Sequence, residues 1–304
     1  MTTPDFVALD VETANPDLSS ICQIGIANFA DGRFLDKWEL LVNPQDYFHP
    51  RNIAVHKIDE SKVVSAPTFP QVSEALLQKL GAAVVIHHTA FDRTAIRQVF
   101  AKHNLDLPPI KWLDSACVVR RTWADLSKAG YGLESVATRL GIDFQPHNAA
   151  EDARAAGEIF LRAIRVSGLS VNDWLVRAAK PITRLSRSGP ASKKTHLEGN
   201  PDGPLHGQTA VVTGAFTVGQ RDIEELAADI GCDVRDSVTR ATTLLIVGDQ
   251  DLRKLAGHEA SRKQRDAQRL IERGQDIRVL READFRALAK DALAPNAAVG
   301  ADGQ

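Results

Sequence analysis

Cysteine and long apolar runs are scarce in this chain of 304 residues. The three cysteines, Cys22, Cys117 and Cys232, are an odd number, lie far apart and form no C-x-x-C pair, so the sequence indicates neither a disulfide framework nor a zinc site. The longest apolar runs, such as AAVVI at 82–86, fall far short of the roughly 20 residues that a transmembrane helix needs. The first residues, MTTPDF, also lack the basic and then apolar pattern of a signal peptide. We therefore expect a cytoplasmic protein without a membrane partner.

An excess of positive charge is also absent, because 37 basic residues face 39 acidic ones and the formal net charge is −2. This balance excludes a protein that holds polyanions by bulk electrostatic attraction, so any contact with nucleic acid must come from local patches or bound metal ions. The hydrophobic fraction of 43% is enough, at this length, for one large core and a smaller second one. A two-domain organisation is therefore expected.

A stretch rich in Pro, Gly, Ser and basic residues interrupts the periodic pattern at 181–204 and is predicted to be a flexible linker. It separates a first domain at 1–180 from a second at 205–290, and the tail at 291–304 is predicted to be disordered. In the first domain, three strand-like runs precede alternating helices and strands, which predicts an α/β fold with a mixed sheet and flanking helices. The second domain is predicted to be a small α/β unit.

Four carboxylates and one histidine occur in an order that suits metal-dependent cleavage of phosphodiesters. Asp10 and Glu12 lie in FVALDVET, whose period-two alternation places both carboxylates on one face of a strand. Asp92 follows HHTAF, and His147 precedes Asp152 by five positions where another helix begins. Carboxylates are the ligands that Mg²⁺ or Mn²⁺ prefers, and two such cations activate a water, neutralise the phosphate and stabilise the leaving oxygen. A histidine, with an ordinary pKa of about 6.5, suits the general base.

Each member of this set has an ordinary structural explanation when it stands alone. An acidic pair spaced two apart is usually an exposed strand edge, and an Asp after HTAF is usually a helix cap. A lone histidine is usually a surface residue, and an Asp in a first helical turn usually interacts favourably with the positive end of the helix dipole. Their joint occurrence in this order favours a metal-dependent nuclease.

The segments that carry these residues, LDVET, VIHHTAFD and HNAAEDA, are very similar to the three motifs of the DEDDh exonucleases, a family that includes the proofreading subunit of DNA polymerase III. The resemblance covers about residues 5–165. It implies a ribonuclease H-like fold, two divalent metal ions, and removal of nucleoside monophosphates from a 3′ end. It also implies that His147 is the general base and that the metal ligands are Asp10, Glu12, Asp92 and Asp152.

The same resemblance implies that Thr13 and Phe91 lie near the terminal nucleotide, although an aromatic residue in this position could equally serve the core. His88 stands where relatives typically carry Asn and is predicted to contact the substrate. Lys57 stands where Gly usually follows the histidine of IAVH. Neither departure removes a metal ligand.

The second domain, in LHGQTAVVTGAF and IRVLREADF, resembles a BRCT domain, most closely the kind in bacterial NAD-dependent DNA ligases. This resemblance implies a recruitment module that binds DNA ends, phosphorylated groups or protein partners. Thr213 and Gly214 match the strand-end pair that holds phosphate in some BRCT domains, or they only shape a turn. Asp266 stands where the helix lysine of such sites usually lies.

These features predict a 3′–5′ exonuclease acting on single-stranded or frayed DNA ends in repair, editing or replication. Two alternatives remain open. One is a ribonuclease that trims short RNA, because the catalytic residues do not show whether the sugar of the substrate is ribose or deoxyribose. The other is a binding or scaffold protein that recruits a partner through the BRCT domain. The scaffold is disfavoured because four clustered acids repel one another without cations.

Overall fold

The computed structural model describes residues 5–123, 126, 131–179, 196–201, 203–248 and 261–293. They fall into two compact units, the first ending at residue 179 and the second beginning at 196. Within these ranges, no helix is both long and apolar enough to cross a bilayer.

The first unit is a mixed sheet with helices packed around it. Its elements are, in chain order, β1 (Phe6–Thr13), β2 (Ile21–Ala30), β3 (Arg33–Leu41), α1 (Pro50–His56), α2 (Glu60–Val63), α3 (Phe69–Leu80), β4 (Val84–His87), α4 (Phe91–Lys102), β5 (Lys111–Asp114), α5 (Ser115–Thr122), α6 (Leu133–Leu140), α7 (Ala149–Ser167) and α8 (Val171–Ala179).

The sheet of the first unit has the strand order β3-β2-β1-β4-β5. The first three strands form an antiparallel meander, whereas β4 runs parallel to β1 and β5 runs parallel to β4. Because β1 is central, it is buried along most of its length, and only Asp10 and Thr13 are partly exposed. The α/β fold predicted from sequence, with a mixed sheet and flanking helices, is therefore confirmed.

Helix α7 lies directly on the sheet, and two glycines permit the close contact. A Cβ at Gly25 of β2 would lie 2.0 Å from the carbonyl carbon of Ala149, and one at Gly157 would lie 2.1 Å from the ring of Phe29. The helix begins after Asn148, whose side chain accepts a hydrogen bond from a backbone N–H of the first turn. The start of α7 is thus fixed both by packing and by its cap.

The second unit is a parallel sheet of four described strands, in the order β7-β6-β8-β9, with helices around it. This agrees with the small α/β unit predicted from sequence. Its elements are β6 (Thr209–Thr213), α9 (Gln220–Asp229), β7 (Asp233–Arg235), β8 (Leu244–Val247), α10 (Arg262–Ile271), β9 (Arg278–Arg281) and α11 (Glu282–Leu293).

The structure corrects the predicted start of the second unit. The described part of 196–204, which the sequence assigned to the linker, packs against β7: Leu197 and Val234 exchange backbone hydrogen bonds of 3.3 and 2.8 Å. A Cβ at Gly199 would lie 2.1 Å from the carbonyl oxygen of Gly231. Glycine therefore serves close packing in this segment, although its abundance suggested flexibility.

The end of the second unit also differs from the prediction. Helix α11 continues to Leu293, so residues 291–293 are helical and do not belong to a disordered tail. The rest of the predicted linker, 181–195, and of the predicted tail, 294–304, lie outside the described residues.

Candidate active site

The predicted acidic residues of β1 face the start of α7. In the ladder between β1 and β2, Asp10 pairs with Gly25 and Glu12 pairs with Gln23. Directly paired residues point to the same side of a sheet, and the missing side chain of Gly25 makes room there for the backbone of α7. Both carboxylates therefore belong to the face that α7 covers.

Glu12, His147 and Asp152 form a compact group of potential metal ligands. Each offers one ligand atom, and these atoms lie within 4.8 Å of one another. Glu12 is 8% and Asp152 is 7% exposed. Two nearly buried carboxylates at this distance repel each other unless a cation or a proton balances their charge. The donor set therefore suits a hard divalent cation, which prefers carboxylate oxygens.

Asp92 and Asp10 are outside this three-residue group, but they adjoin it. Asp92 is 1% exposed, and its Oδ1 accepts a hydrogen bond of 3.2 Å from the N–H of Val11. Because Val11 separates Asp10 from Glu12, the Asp92 carboxylate reaches β1 at the acidic pair. The structure thus brings the five predicted residues to one end of β1. The potential ligand atoms of three of them are close enough to one another to bind a single cation.

The backbone of His147 adopts an unusual conformation. Its φ of 63° lies in the left-handed region, which costs a residue other than glycine about 1 kcal/mol. The N–H of His147 donates a hydrogen bond of 3.0 Å to Oδ2 of Asp152, which holds this conformation. Asp152 therefore offers one side of its carboxylate to the histidine backbone and belongs to the same ligand group as the histidine ring.

A second left-handed residue precedes the helix that carries Asp92. Thr89 has a φ of 70°, and its N–H donates a hydrogen bond of 3.0 Å to Oδ1 of Asp114, which also accepts from the N–H of Ala116 at 2.8 Å. Burial by itself raises the pKa of Asp114, but His87 and its other neighbours outweigh burial and keep that pKa below its ordinary value. An ionised Asp114 accepts both hydrogen bonds and fixes the turn before α4.

His88, which is predicted to contact substrate, uses both ring nitrogens within the protein. Its Nδ1 lies 2.8 Å from the Ser115 hydroxyl, and its Nε2 lies 2.7 Å from the carbonyl oxygen of Tyr131. The side chain is buried, and burial lowers its pKa. Because both ring nitrogens are used inside the protein, His88 joins the end of β4 to Ser115 and Tyr131 and offers no nitrogen to a ligand.

Thr13 and Phe91 lie at the ends of the elements that carry the acids. The carbonyl oxygen of Thr13 accepts hydrogen bonds from Nδ2 of Asn52 at 2.8 Å and from Nε2 of His56 at 3.1 Å. Phe91 is the first residue of α4 and is 6% exposed, in agreement with a packing role. Contact of either residue with a nucleotide remains a prediction.

Asn52 and His56 were missed as site residues by the sequence reasoning, although the IAVH segment that contains His56 was a visible signal. Burial is the main cause that lowers the pKa of His56 to about 4, and the neighbouring His147 contributes to the same shift. Its Nδ1 accepts the N–H of Ile58 at 3.0 Å, so the neutral ring donates through Nε2 to Thr13. His56 is therefore a neutral donor at pH 7 beside the acidic group.

In the second unit, the predicted phosphate-binding pair is at the end of β6. Gly214 has a φ of 107°, and the Thr213 hydroxyl lies 3.0 Å from the hydroxyl of Ser261, the N-cap of α10. Lys263 donates from Nζ to the carbonyl oxygen of Val212 at 2.9 Å. Lys263 is therefore a basic side chain that reaches this strand end, and it is one of the three basic residues that surround Asp266 in SRKQRDAQRL.

Comparison with known proteins identifies both units. The family model described as Exonuclease (RNase_T) matches residues 7–160, and the model of the BRCA1 C Terminus (BRCT) domain matches residues 200–271. The PolC-type DNA polymerase III of Thermotoga petrophila is 26% identical over 166 residues, which cover 53% of this chain and 12% of that protein. The Staphylococcus aureus protein named 3′-5′ exonuclease DinG is 26% identical over 162 residues, which cover 52% of this chain and 18% of that protein.

This chain thus spans less than a fifth of the length of either relative. A solved structure described as "3′-end specific recognition of histone mRNA stem-loop by 3′-exonuclease" aligns with a TM-score of 0.48 and 19% identity, over 55% of this chain and 84% of that chain. Because the exonuclease model matches half of its residues, this chain belongs to the exonuclease family, and its second unit contains a BRCT region.

Proposed function

We propose that this protein is a metal-dependent 3′–5′ exonuclease of the DEDDh type that releases nucleoside monophosphates from DNA 3′ ends. The observation that carries the proposal is the group of Glu12, His147 and Asp152, whose ligand atoms lie within 4.8 Å of one another. A nuclease site requires carboxylates and a base beside one scissile phosphate, and this group supplies them. We propose residues 1–180 as the catalytic domain.

The donor chemistry fits Mg²⁺ or Mn²⁺. Asp10, Glu12, Asp92 and Asp152 would hold the cations, since hard divalent ions prefer carboxylate oxygens. When bound, two such cations would neutralise the phosphate, favour ionisation of the attacking water and stabilise the departing 3′ oxygen. The near burial of Glu12 and Asp152 supports this assignment, because a cation offsets their mutual repulsion.

The protein residues would then have separate tasks. His147 would accept the proton of the attacking water at a ring nitrogen, and the hydrogen bond from its N–H to Asp152 would keep the ring beside the carboxylates. Asn52 and His56 would hold the backbone of Thr13, so that the strand end can lie against the terminal nucleotide. Asp114 would fix the turn that leads to Asp92.

DNA is the proposed substrate for two reasons. The curated relatives include a protein named DNA polymerase III, and the chain carries a BRCT region. We propose that this region recruits the enzyme to DNA ends or to a protein partner in repair or replication. RNA trimming is a distinct outcome of the test below, since carboxylates do not distinguish the sugars.

The test is digestion of DNA and RNA oligonucleotides labelled at either end, single- and double-stranded, with Mn²⁺ and with chelator. We expect mononucleotides to be released from the 3′ ends of DNA when Mn²⁺ is present and no release when the chelator is present. Asp152→Asn should lower kcat by at least about 100-fold, because it removes a ligand charge but keeps an acceptor for His147. Asp173→Asn is the matched control, since Asp173 only caps the exposed start of α8 through Ser170.

Two results would contradict the proposal. Wild-type activity in Asp152→Asn would exclude the assigned site, and release from 5′ ends would exclude the polarity. Heat melting separates the enzyme from a scaffold: a cation at about 100 times its Kd should stabilise the wild-type protein by about 2.7 kcal/mol and Asp152→Asn by less. A scaffold would show neither activity nor this stabilisation.

A further inference from the structure

A closed set of side-chain hydrogen bonds joins β2 and β3 to the first turn of α7. Oε1 of Gln23 accepts the N–H of Ala149 at 3.0 Å, and Nε2 of Gln23 donates to Oε1 of Glu39 at 2.9 Å. Oε2 of Glu39 accepts from Nδ2 of Asn148 at 2.8 Å, and Oδ1 of Asn148 accepts the N–H of Glu151 at 3.0 Å. We call Gln23, Glu39 and Asn148 the brace.

The two backbone N–H groups determine the direction of every hydrogen bond in the brace. An N–H can only donate, so Gln23 and Asn148 must present their oxygens to α7. Their amide nitrogens then both face Glu39, and position 39 must accept at two oxygens. A carboxylate meets this requirement, whereas a glutamine at position 39 would set one NH₂ group against another.

The brace acts on the part of α7 that matters for the proposed site. Asn148 follows His147 directly, and Asp152 lies in the first turn of α7. Gln23 is also the ladder partner of Glu12, so the brace links both sides of the ligand group. Glu39 belongs to the exposed strand β3 and is not a member of that group.

We propose that Gln23, Glu39 and Asn148 are positioning residues that hold His147 and Asp152 against Glu12, and that position 39 must be a carboxylate for this purpose. The inference rests on the proposed function for its kinetic consequences, but the hydrogen bonds can be measured without it. A displacement of about 1 Å at a reacting group costs on the order of 100-fold in rate, so a loosened first turn should act on kcat.

The test is a set of polarity exchanges. Glu39→Gln should lower kcat on a 3′-labelled oligonucleotide by about 10- to 100-fold and change KM by less than about twofold. Adding Asn148→Asp or Gln23→Glu to Glu39→Gln places one carboxylate oxygen opposite the new NH₂, while the other oxygen still accepts the α7 N–H. Each double variant should therefore recover kcat to within about threefold. The single variants Asn148→Asp and Gln23→Glu should be impaired, because each sets a carboxylate against Glu39.

Lys37→Met is the matched control, since Lys37 joins β3 to α7 through an ion pair with Glu151 but is outside the brace. Glu151 keeps its partner Arg154, so kcat should stay at the wild-type value. If Glu39→Gln behaves like Lys37→Met, or if neither double variant recovers, the positioning role is excluded.

Amide hydrogen exchange tests the brace independently of activity. The N–H groups of Ala149 and Glu151 should exchange at least about tenfold faster in Glu39→Gln than in the wild-type protein, and both double variants should restore their protection. Unchanged exchange would overturn the proposal even if the protein is an exonuclease. A wild-type protein that lacks nuclease activity but shows the expected exchange pattern would overturn the proposed function and leave the brace intact.

Discussion

The contact between Gly25 and α7 gives a sharp prediction for Gly25→Ala. The added Cβ would lie 2.0 Å from the carbonyl carbon of Ala149 and 2.2 Å from both its oxygen and the nitrogen of Ala150. All three are backbone atoms of the first turn, so no side-chain rotation can relieve the overlap. The helix must retreat by about 1.4 Å before that contact reaches the 3.4 Å at which ordinary van der Waals contact begins.

This retreat should affect both stability and rate. Overpacking of this kind costs about 1–3 kcal/mol, partly offset by about 0.5–1 kcal/mol because alanine suits a strand better than glycine. The same retreat moves Asp152 and the adjoining His147 away from Glu12, which belongs to β1. We therefore expect a loss of stability of about 1–2 kcal/mol in urea unfolding and a fall of kcat by on the order of 100-fold.

Gly157→Ala is the matched control. Its Cβ would overlap the Phe29 ring at 2.1 Å, so a comparable loss of stability is expected. The site is eight residues further along α7, however, which corresponds to roughly 12 Å along the helix axis. At a temperature where all variants are folded, Gly157→Ala should keep kcat within about threefold of the wild-type value. Equal losses of kcat in both variants, or a wild-type kcat in Gly25→Ala, would refute the reasoning.

Two further predictions concern pH and phosphate. Burial lowers the pKa of His87 to about 4, so between about pH 6.5 and 4 the unfolded chain binds a proton that the folded chain excludes, and stability falls as the pH falls. In urea unfolding, the loss of stability between pH 7 and pH 4.5 should be about 2–3 kcal/mol smaller for His87→Gln than for the wild-type protein. Equal losses of stability in the two proteins would contradict this assignment. If Thr213, Gly214 and Lys263 bind phosphate, Lys263→Ala should weaken binding of a 5′-phosphorylated duplex about 10- to 100-fold and Arg235→Ala, an exposed control, should not. Equal affinity of the wild-type protein for phosphorylated and unphosphorylated duplexes would exclude this site.

The elements that carry the acidic residues of the candidate site could be found from sequence by local rules. Period-two alternation placed Asp10 and Glu12 on one strand face, and β1 has that regular geometry through Glu12. The start of α7 was visible from its polar cap, and Asn148 does cap it. Local rules therefore located the elements that carry these acids, whereas their selection as candidate ligands came from the joint order of the five residues and from the resemblance to the exonuclease motifs. Their roles remain predictions.

The supports of the site have no local signature. Glu39 is an exposed residue in a strand, and its pattern is that of a solvated face; its partner Asn148 is 109 positions away. His88 was expected to contact the substrate because of its neighbours in sequence, but its partners Ser115 and Tyr131 come from distant segments. Gly199 is a case in which a local signal misled the prediction. Glycine in a polar stretch predicts flexibility, but here it allows close packing against a surface that the sequence does not reveal.

Three residues near the candidate site have a left-handed backbone conformation that a hydrogen bond holds in place. Lys57, Thr89 and His147 all have φ between 62° and 70°, and each adjoins a residue of the site or its surroundings. Glycine would adopt this conformation without strain, whereas each of these residues loses about 1 kcal/mol. Each is held by a hydrogen bond from its own N–H, to the Ile53 carbonyl, the Asp114 carboxylate and the Asp152 carboxylate respectively. Because two of these acceptors are carboxylates, the acids of this unit act on the backbone as well as on any cation. Asp152→Ala would therefore remove both a proposed metal ligand and the acceptor that holds the backbone of His147, the proposed base. Asp152→Asn removes the charge but keeps an acceptor, so it is the more informative variant.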